Sequence, residues 1–213
     1  VADTAGNPFD IVAGDGVDTL QLVGAGSLAS VPLDFERAVK SDTGEFSLPS
    51  LSTLSHLRIE AGTLSIAGDY SFDQQGRYEA VIYTDGSHGL LAVNGSADLG
   101  GSLLVERQGD DYISDGTRYP LVSASDTVTG AFAEVQLPQA LPLLRFETDQ
   151  GADWLDVLAV ASRFDSVADN GLQQRVAGNL DAIADGSAGA FAKDLGNLQT
   201  LSADFGRAFE SFS

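Results

Sequence analysis

Two histidines, His56 and His88, are the only imidazoles in the chain, and there is no cysteine. Proton-transfer or nucleophilic chemistry would have to come from these rings, from hydroxyls or from carboxylates. Ser87 and His88 are neighbours in the run Asp85-Gly86-Ser87-His88-Gly89. A serine hydrolase needs serine, histidine and an acid converging in space, and neighbours in sequence usually do not converge. The Gly-x-Ser-x-Gly elbow is absent. The run Asp15-Gly16-Val17-Asp18-Thr19-Leu20, after Ala13-Gly14, approximates one calcium-binding nonapeptide. That motif works through paired turns on consecutive coils. Here it occurs once, with alanine for its first glycine, and reads better as a turn opening a strand. There is no glycine-rich phosphate loop with a lysine and no zinc-ligand spacing. Carboxylates are plentiful because the chain is acidic, so sequence alone singles out no glycosidase pair. The expectation is a non-enzymatic chain with no catalytic, cofactor-binding or metal-binding residues.

Charge narrows the partners. With 31 acidic and 11 basic residues the formal net charge is −20. Such a surface repels phosphate backbones and anionic lipid, which argues against nucleic acid and against membrane insertion by this segment. No apolar run is long enough to span a bilayer. Hydrophobic content of 43% is enough to fill a core. The lack of cysteine suits a chain that crosses an oxidising compartment unfolded, because no disulfide can lock it early. Val1 to Asn7 lack the basic and apolar segments of a signal peptide.

The elements that would position any site fall into two regimes. Up to about Val160 the chain shows short apolar alternations: Thr19 to Val23, Leu57 to Ile59, Thr63 to Ile66, Tyr78 to Tyr83, Leu90 to Val93, Ser102 to Val105 and Leu155 to Leu158. Alternation with period two puts one set of side chains on one face of a strand. Glycine-containing bends separate them, among them Gly24-Ala25-Gly26, Asn94-Gly95 and Gly100-Gly101. Strands this short leave a sandwich or a solenoid, and bends this tight suit the corners of a coiled ribbon. The expectation is a mainly β chain, the end of a right-handed parallel β-helix with a β-rich cap. Tyr70, Phe72, Tyr78 and Tyr83 could form an aromatic ladder there, and Trp154 reads as core of the last strand. After about Phe164 the period becomes helical. Leu172, Val176, Leu180 and Ile183 share one predicted face, and Phe191, Leu195, Leu198, Leu201 or Ser202, Phe205 and Phe209 another. Asp185-Gly186-Ser187 breaks the two helices. The interior glycines Gly178, Gly196 and Gly206 mean that this short helical tail needs a partner surface, either its own body or the tail of a second copy.

Several blocks in fixed order carry a resemblance: Leu64-Ser65-Ile66-Ala67-Gly68-Asp69-Tyr70, Gly76 to Ile82, Leu91 to Val105, Asp115 to Val122, and Val128 to Val135. Together with Phe35 to Phe46 before them and Asp169 to Ala177 and Ala208 to Ser213 after, they resemble the C-terminal passenger region of autotransporters (type V secretion), a pertactin-like β-helix stem with its autochaperone or junction region. Many members have an aspartate before the coil that here follows His88-Gly89. The resemblance implies three parts: residues 1–66 as the last β-helix coils, 67–162 as the autochaperone cap, and 163–213 as a helical linker preceding a translocator barrel. It implies a non-catalytic segment that nucleates and caps β-helix folding during outer-membrane translocation. It further implies the translocator β-barrel as partner, and secretion to the cell surface of a Gram-negative bacterium. Core positions of the cap would be Tyr70, Phe72, Tyr78, Leu91, Val93, Leu103, Tyr119, Phe132 and Trp154. Self-association would run through Leu195, Leu198, Leu201, Phe205 and Phe209. Two other readings stay open: an extracellular adhesin or self-association module, and a support stem for an upstream protease or esterase.

Overall fold

Short alternating runs form strands through the first three-quarters of the chain. The structure, a computed structural model, describes residues 12–29, 34–51, 54–168, 170–186 and 189–200. In chain order the strands are β1 (Thr19–Val23), β2 (Gly26–Ser27), β3 (Arg37–Ser41), β4 (Glu45–Leu48), β5 (His56–Ile59), β6 (Gly62–Ile66), β7 (Tyr70–Ser71) and β8 (Arg77–Tyr83). There follow β9 (Gly89–Val93), β10 (Ala97–Leu99), β11 (Ser102–Gln108), β12 (Arg118–Ala124), β13 (Val128–Gly130), β14 (Glu134–Gln136), β15 (Leu144–Gln150) and β16 (Trp154–Ala161).

The chain alternates between two sheets from β1 to β4 and passes through three in rotation from β5 to β14. Sheet A has the order β1-β3-β5-β8-β11-β14, sheet C the order β13-β10-β7, and sheet B the order β15-β16-β12-β9-β6-β4-β2. From β1 to β14 each strand meets its sheet neighbour only after the chain has passed through another sheet, and it returns in the same direction. Pairing is parallel throughout A and C, and in B as far as β12. The fold is therefore mainly β with parallel sheets, followed by a short helical C-terminal part.

In-register pairing turns the alternation into rows. In sheet A, Leu20, Ala38, Leu57, Tyr78, Leu103 and Val135 lie opposite one another in successive strands. In sheet B one row is Phe46, Leu64, Leu91 and Val122, and the next is Leu48, Ile66, Val93 and Ala124. Neighbouring parallel strands sit about 4.8 Å apart, so each side chain covers the one beside it. Leu57, Leu64, Ile66, Tyr78 and Leu91 are all at most 1% exposed. Corners between sheets must stack as closely as the strands do. Gly62 shows why one is glycine: its φ is +70°, and an added Cβ would run into the Gly44 carbonyl.

One interior row holds a cation. Leu22, Lys40, Ile59, Ala80 and Val105 lie in register, and Lys40 is 0% exposed. Its ammonium donates to Ser41 O at 2.7 Å, Asp42 O at 3.0 Å and Asp42 Oδ1 at 3.0 Å, which gives each of its three protons an acceptor. Asp42 sits at φ 68° and also accepts from the Gly24 and Gly44 amides. The Lys40 hydrogen bond, then those amides, hold its carboxyl below the usual aspartate range.

The ends differ. At the β1 end, Leu20 and Leu22 face inward while Thr19, Gln21 and Val23 are exposed. At the other end, sheet B stops being parallel: β16 runs antiparallel to β12, and β15 antiparallel to β16. The outer edge strand β15 carries exposed Arg145 and Glu147, charges that discourage further edge pairing.

The tail comprises a 3-10 turn at Phe164–Val167, α1 (Gly171–Asp185), a second turn at Gly189–Phe191 and α2 (Ala192–Thr200). Asn170 caps α1, its side chain accepting from the Leu172 and Gln173 amides. The buried face is not the leucine stripe. Gln173, Ala177, Asp181 and Ala184 point inward, Val176 and Leu180 flank them, and Leu172 and Ile183 are 48% and 39% exposed. The expectation of a Leu172-to-Ile183 face is thus corrected by one residue around the helix: small and polar groups allow closer approach to the body than leucines would.

Candidate functional site

Aromatic rings gather where the parallel rows end. Phe72, just after β7, packs edge-on against Tyr70 (centroids 4.9 Å apart, planes at 80°) and against Phe132 (5.2 Å, 72°), and lies 5.5 Å from Tyr78. Such edge-to-face pairs are the favoured aromatic geometry. Tyr78 is wholly buried and donates its hydroxyl to Leu121 O at 2.9 Å, tying sheet A to sheet B across the interior. Burial raises the pKa of Tyr78 and of Tyr70 well above the ordinary phenol value. Leu91, Val93, Leu103 and Tyr119 complete this core, each at most 3% exposed.

Two expectations change here. Tyr83 makes none of these ring contacts; Phe132, from the segment after β13, supplies the fourth ring and is partly buried. Trp154 is half-buried rather than core. The Arg118 guanidinium lies over its ring at 5.3 Å and is anchored by Asp149 at 2.7 Å and Asp156 at 3.1 Å. This cation–π stack sits across β12, β16 and β15, where the sheet changes from parallel to antiparallel.

The residues with chemical potential are apart. Ser87 Oγ donates to Asp85 Oδ1 at 2.6 Å, while His88 Nδ1 is 3.1 Å from Gly86 O. The serine thus bonds within the turn, while the imidazole meets the Gly86 carbonyl and, edge to face, the Tyr119 ring, and no hydrogen bond joins the two among the described residues. In the Asp15–Leu20 turn, the Asp18 amide donates to Glu36 Oε2 at 2.8 Å, which ties this turn to the strand that follows in the same sheet. His56 lies on the outer face of sheet A, 3.2 Å from Glu79. It belongs to a ladder that crosses three strands: Arg58 reaches Glu79 at 2.8 Å and Glu106 at 2.9 Å, and Arg77 reaches Glu79 at 2.8 Å.

The tail is fastened by a few polar contacts around a small apolar cluster. Leu143, Phe164, Ala177, Ala184 and Leu195 are buried together, with Tyr112 and Leu198 packed against them. The Gln199 side-chain amide acts like a strand partner: its Nε2 donates to Ile113 O at 2.8 Å and its Oε1 accepts from Ile113 N at 3.0 Å. Asp181, 3% exposed, accepts from the Phe164 and Asp165 amides with one oxygen each, at 2.8 and 3.1 Å. The Tyr112 amide donates to Ala192 O at 2.8 Å. A cleft of about 430 Å³ remains between tail and body, lined by Tyr112, Asp115, Arg163, Asp181 and Asp185. Burial first, then Asp181, Asp185 and Asp115, raise the Tyr112 pKa. Leu195 is 2% exposed, so self-association through it would require the docked tail to open. Leu201, Phe205 and Phe209 lie outside the described residues.

Sequence reasoning missed Lys40, the Arg58 ladder and the Gln199 and Asp181 clasps. Lys40 had a usable signal, since it shares strand parity with Ala38; the two clasps and the Arg58 contacts with Glu79 and Glu106 link residues 16 to 86 positions apart, with no local pattern, although Arg77–Glu79 and Arg58–Glu60 are each two apart. No protein-family model matches the chain, and no curated protein matches it.

Proposed function

We propose that this chain is the closing end of a right-handed parallel β-helix and serves as a non-catalytic structural unit: the stem and autochaperone cap of an autotransporter passenger. The observation that carries the reading is the repeated return of the chain to the same sheets, two at first and three from β5 on, with in-register parallel rows ended by an antiparallel hairpin and an aromatic cluster. A solenoid of this kind has two problems, a costly first coil and an open edge. At the β15 end both are addressed. Hairpin contacts are local and form quickly, the aromatic cluster gives that end its own core, and the charged β15 edge resists further pairing. At the β1 end no strand among the described residues pairs with the outer edge of β1, which leaves that edge to receive or donate a coil. During C-terminal-first emergence from an outer membrane, the capped end would fold first and template the rest.

Pulse-labelled amide exchange during refolding of the whole chain tests this. Protection should appear first in β8 to β16 and later in β1 to β6. Simultaneous protection, or protection first in β1 to β6, would remove the templating role.

A further inference from the structure

Sheet A ends unevenly. β11 runs from Ser102 to Gln108, but β14 pairs only with Ser102, Leu103 and Leu104. Continuing the same register would set Pro138 beside Glu106. Proline has no N–H to give a ladder, and the chain departs there. Between the uncovered part of β11 and the departing segment lies a groove of about 490 Å³, lined by Val105, Arg107, Pro138, Gln139 and Leu141 among others.

The backbone of β11 has a defined orientation in this groove. The Ser102 amide donates to Gly76 O and Gln108 O accepts from the Thr84 amide, so even-numbered residues address β8. Gly101 O accepts from the Ala133 amide on the opposite side. By the alternation of a parallel ladder, Val105 and Arg107 turn their backbone groups toward the groove. No described strand lies opposite them there.

The groove also holds an unspent charge. Arg58, Arg77, Arg118, Arg145 and Arg163 each hold a carboxylate; among the described residues Arg37, Arg107 and Arg175 hold none, but Arg37 and Arg175 are exposed, whereas the Arg107 Nη1 is buried without a hydrogen-bond partner. In a chain with 31 acidic residues that is conspicuous. The Tyr119 hydroxyl, likewise buried without a partner, feels the Arg107 charge. A guanidinium left this way favours a carboxylate, which it can grip with two parallel bonds.

We propose that this groove binds an extended peptide, which adds to β11 as a strand and places a carboxylate on Arg107. The backbone groups of Val105 and Arg107 would supply affinity and the guanidinium the selection for a negative group. The inference is independent of the stem reading, since it concerns one strand edge and not how the chain folds.

The test is fluorescence anisotropy with the whole chain and three fluorescein-labelled peptides. One is a valine–threonine pentapeptide with a free C-terminal carboxylate, one is its C-terminal amide, and one is an amide ending in glutamate. The free acid should bind roughly tenfold more tightly than the plain amide, the scale of one charge-assisted bond. The glutamate amide then tests what is selected: matching the free acid shows that Arg107 takes any carboxylate at that place, and matching the plain amide narrows the occupant to a chain terminus. Arg107→Gln should bring the acid down to the amide, while Arg145→Gln, at a cation already paired with Glu147, should change nothing. Amide resonances of Val105 to Gln108 should shift on binding. No binding at millimolar peptide, equal binding of acid and amide, or an Arg107→Gln variant that keeps its circular-dichroism spectrum and its preference for the acid would each overturn the proposal.

Discussion

The parallel body and the helical tail bury their faces by different means. In the body, cohesion comes from repetition. A leucine at one row position is covered by the residue at the same position in the next strand, so many positions contribute similar amounts and none is special. Tail docking depends on single contacts: one glutamine bonding both sides of Ile113, one aspartate capping two amides, and one glycine that lets α2 touch the loop after β11. Repetition spreads the stability of a region over many equivalent positions. Reliance on unique contacts makes a region that one substitution can release.

The largest expected effect belongs to the body. Leu64 is fully buried between Phe46 and Leu91 in its row. Leu64→Ala should cost about 2–5 kcal/mol, the usual range for a leucine cavity in a close-packed core. Denaturant unfolding followed by Trp154 fluorescence and by far-UV circular dichroism should shift together. A small effect would mean that the rows are loosely packed.

The tail should respond in the opposite pattern. A Cβ at Gly196 would collide with the Asp110 carbonyl. Alanine is nevertheless the better helix former, by about 1 kcal/mol. Gly196→Ala therefore separates docking from helicity. Docking should be lost, taking with it the burial of Leu195, worth about 1.5–3 kcal/mol. Amide exchange at Ile113 should accelerate while the thermal midpoint of the body stays in place. If Ile113 stays protected, or if the body midpoint falls with it, tail and body are one cooperative unit and the contrast drawn above fails.

This difference also decides what could be read in the sequence. Row residues announce themselves, because Leu57, Ile59, Leu64 and Ile66 alternate with polar neighbours whatever lies beside them. The helical character of the tail was equally plain, and so was its break at Asp185-Gly186. Its buried face was not. Apolarity pointed to Leu172 and Ile183, but the space beside the body selects Ala177 and Ala184, and Asp181 turns inward, where the Phe164 and Asp165 amides donate to it. Such choices depend on a partner surface and leave no periodic trace. Trp154 shows the same limit: its alternation placed it in a strand, yet only the approach of Arg118 from β12 decides that it faces a cation.

The smallest expected effect lies on the outer face of sheet A, where the body too relies on unique contacts. Glu79 is pulled two ways. Burial raises its pKa, but the Arg58 hydrogen bond, His56 and Arg77 together outweigh burial and leave the carboxyl below the ordinary glutamate value of 4.5. A carboxylate with a depressed folded-state pKa binds fewer protons folded than unfolded at intermediate pH, so its contribution is complete above the ordinary glutamate range. That contribution is lost as pH falls through the folded-state value. Glu79→Gln should therefore lower the thermal midpoint modestly at pH 7 and flatten its decline below pH about 4.5. Salt should shrink the pH 7 difference, since Arg77 and Glu106 are substantially exposed. The position within the ladder sharpens the test. Among the described residues the Glu60 carboxylate pairs with Arg58 alone, so Glu60→Gln should leave the acid limb nearly unchanged, whereas Glu79 joins Arg58, His56 and Arg77 across β5 and β8. Equal acid limbs for the two variants would show that the ladder is a set of independent surface pairs, and that the body owes its cohesion to its interior rows alone.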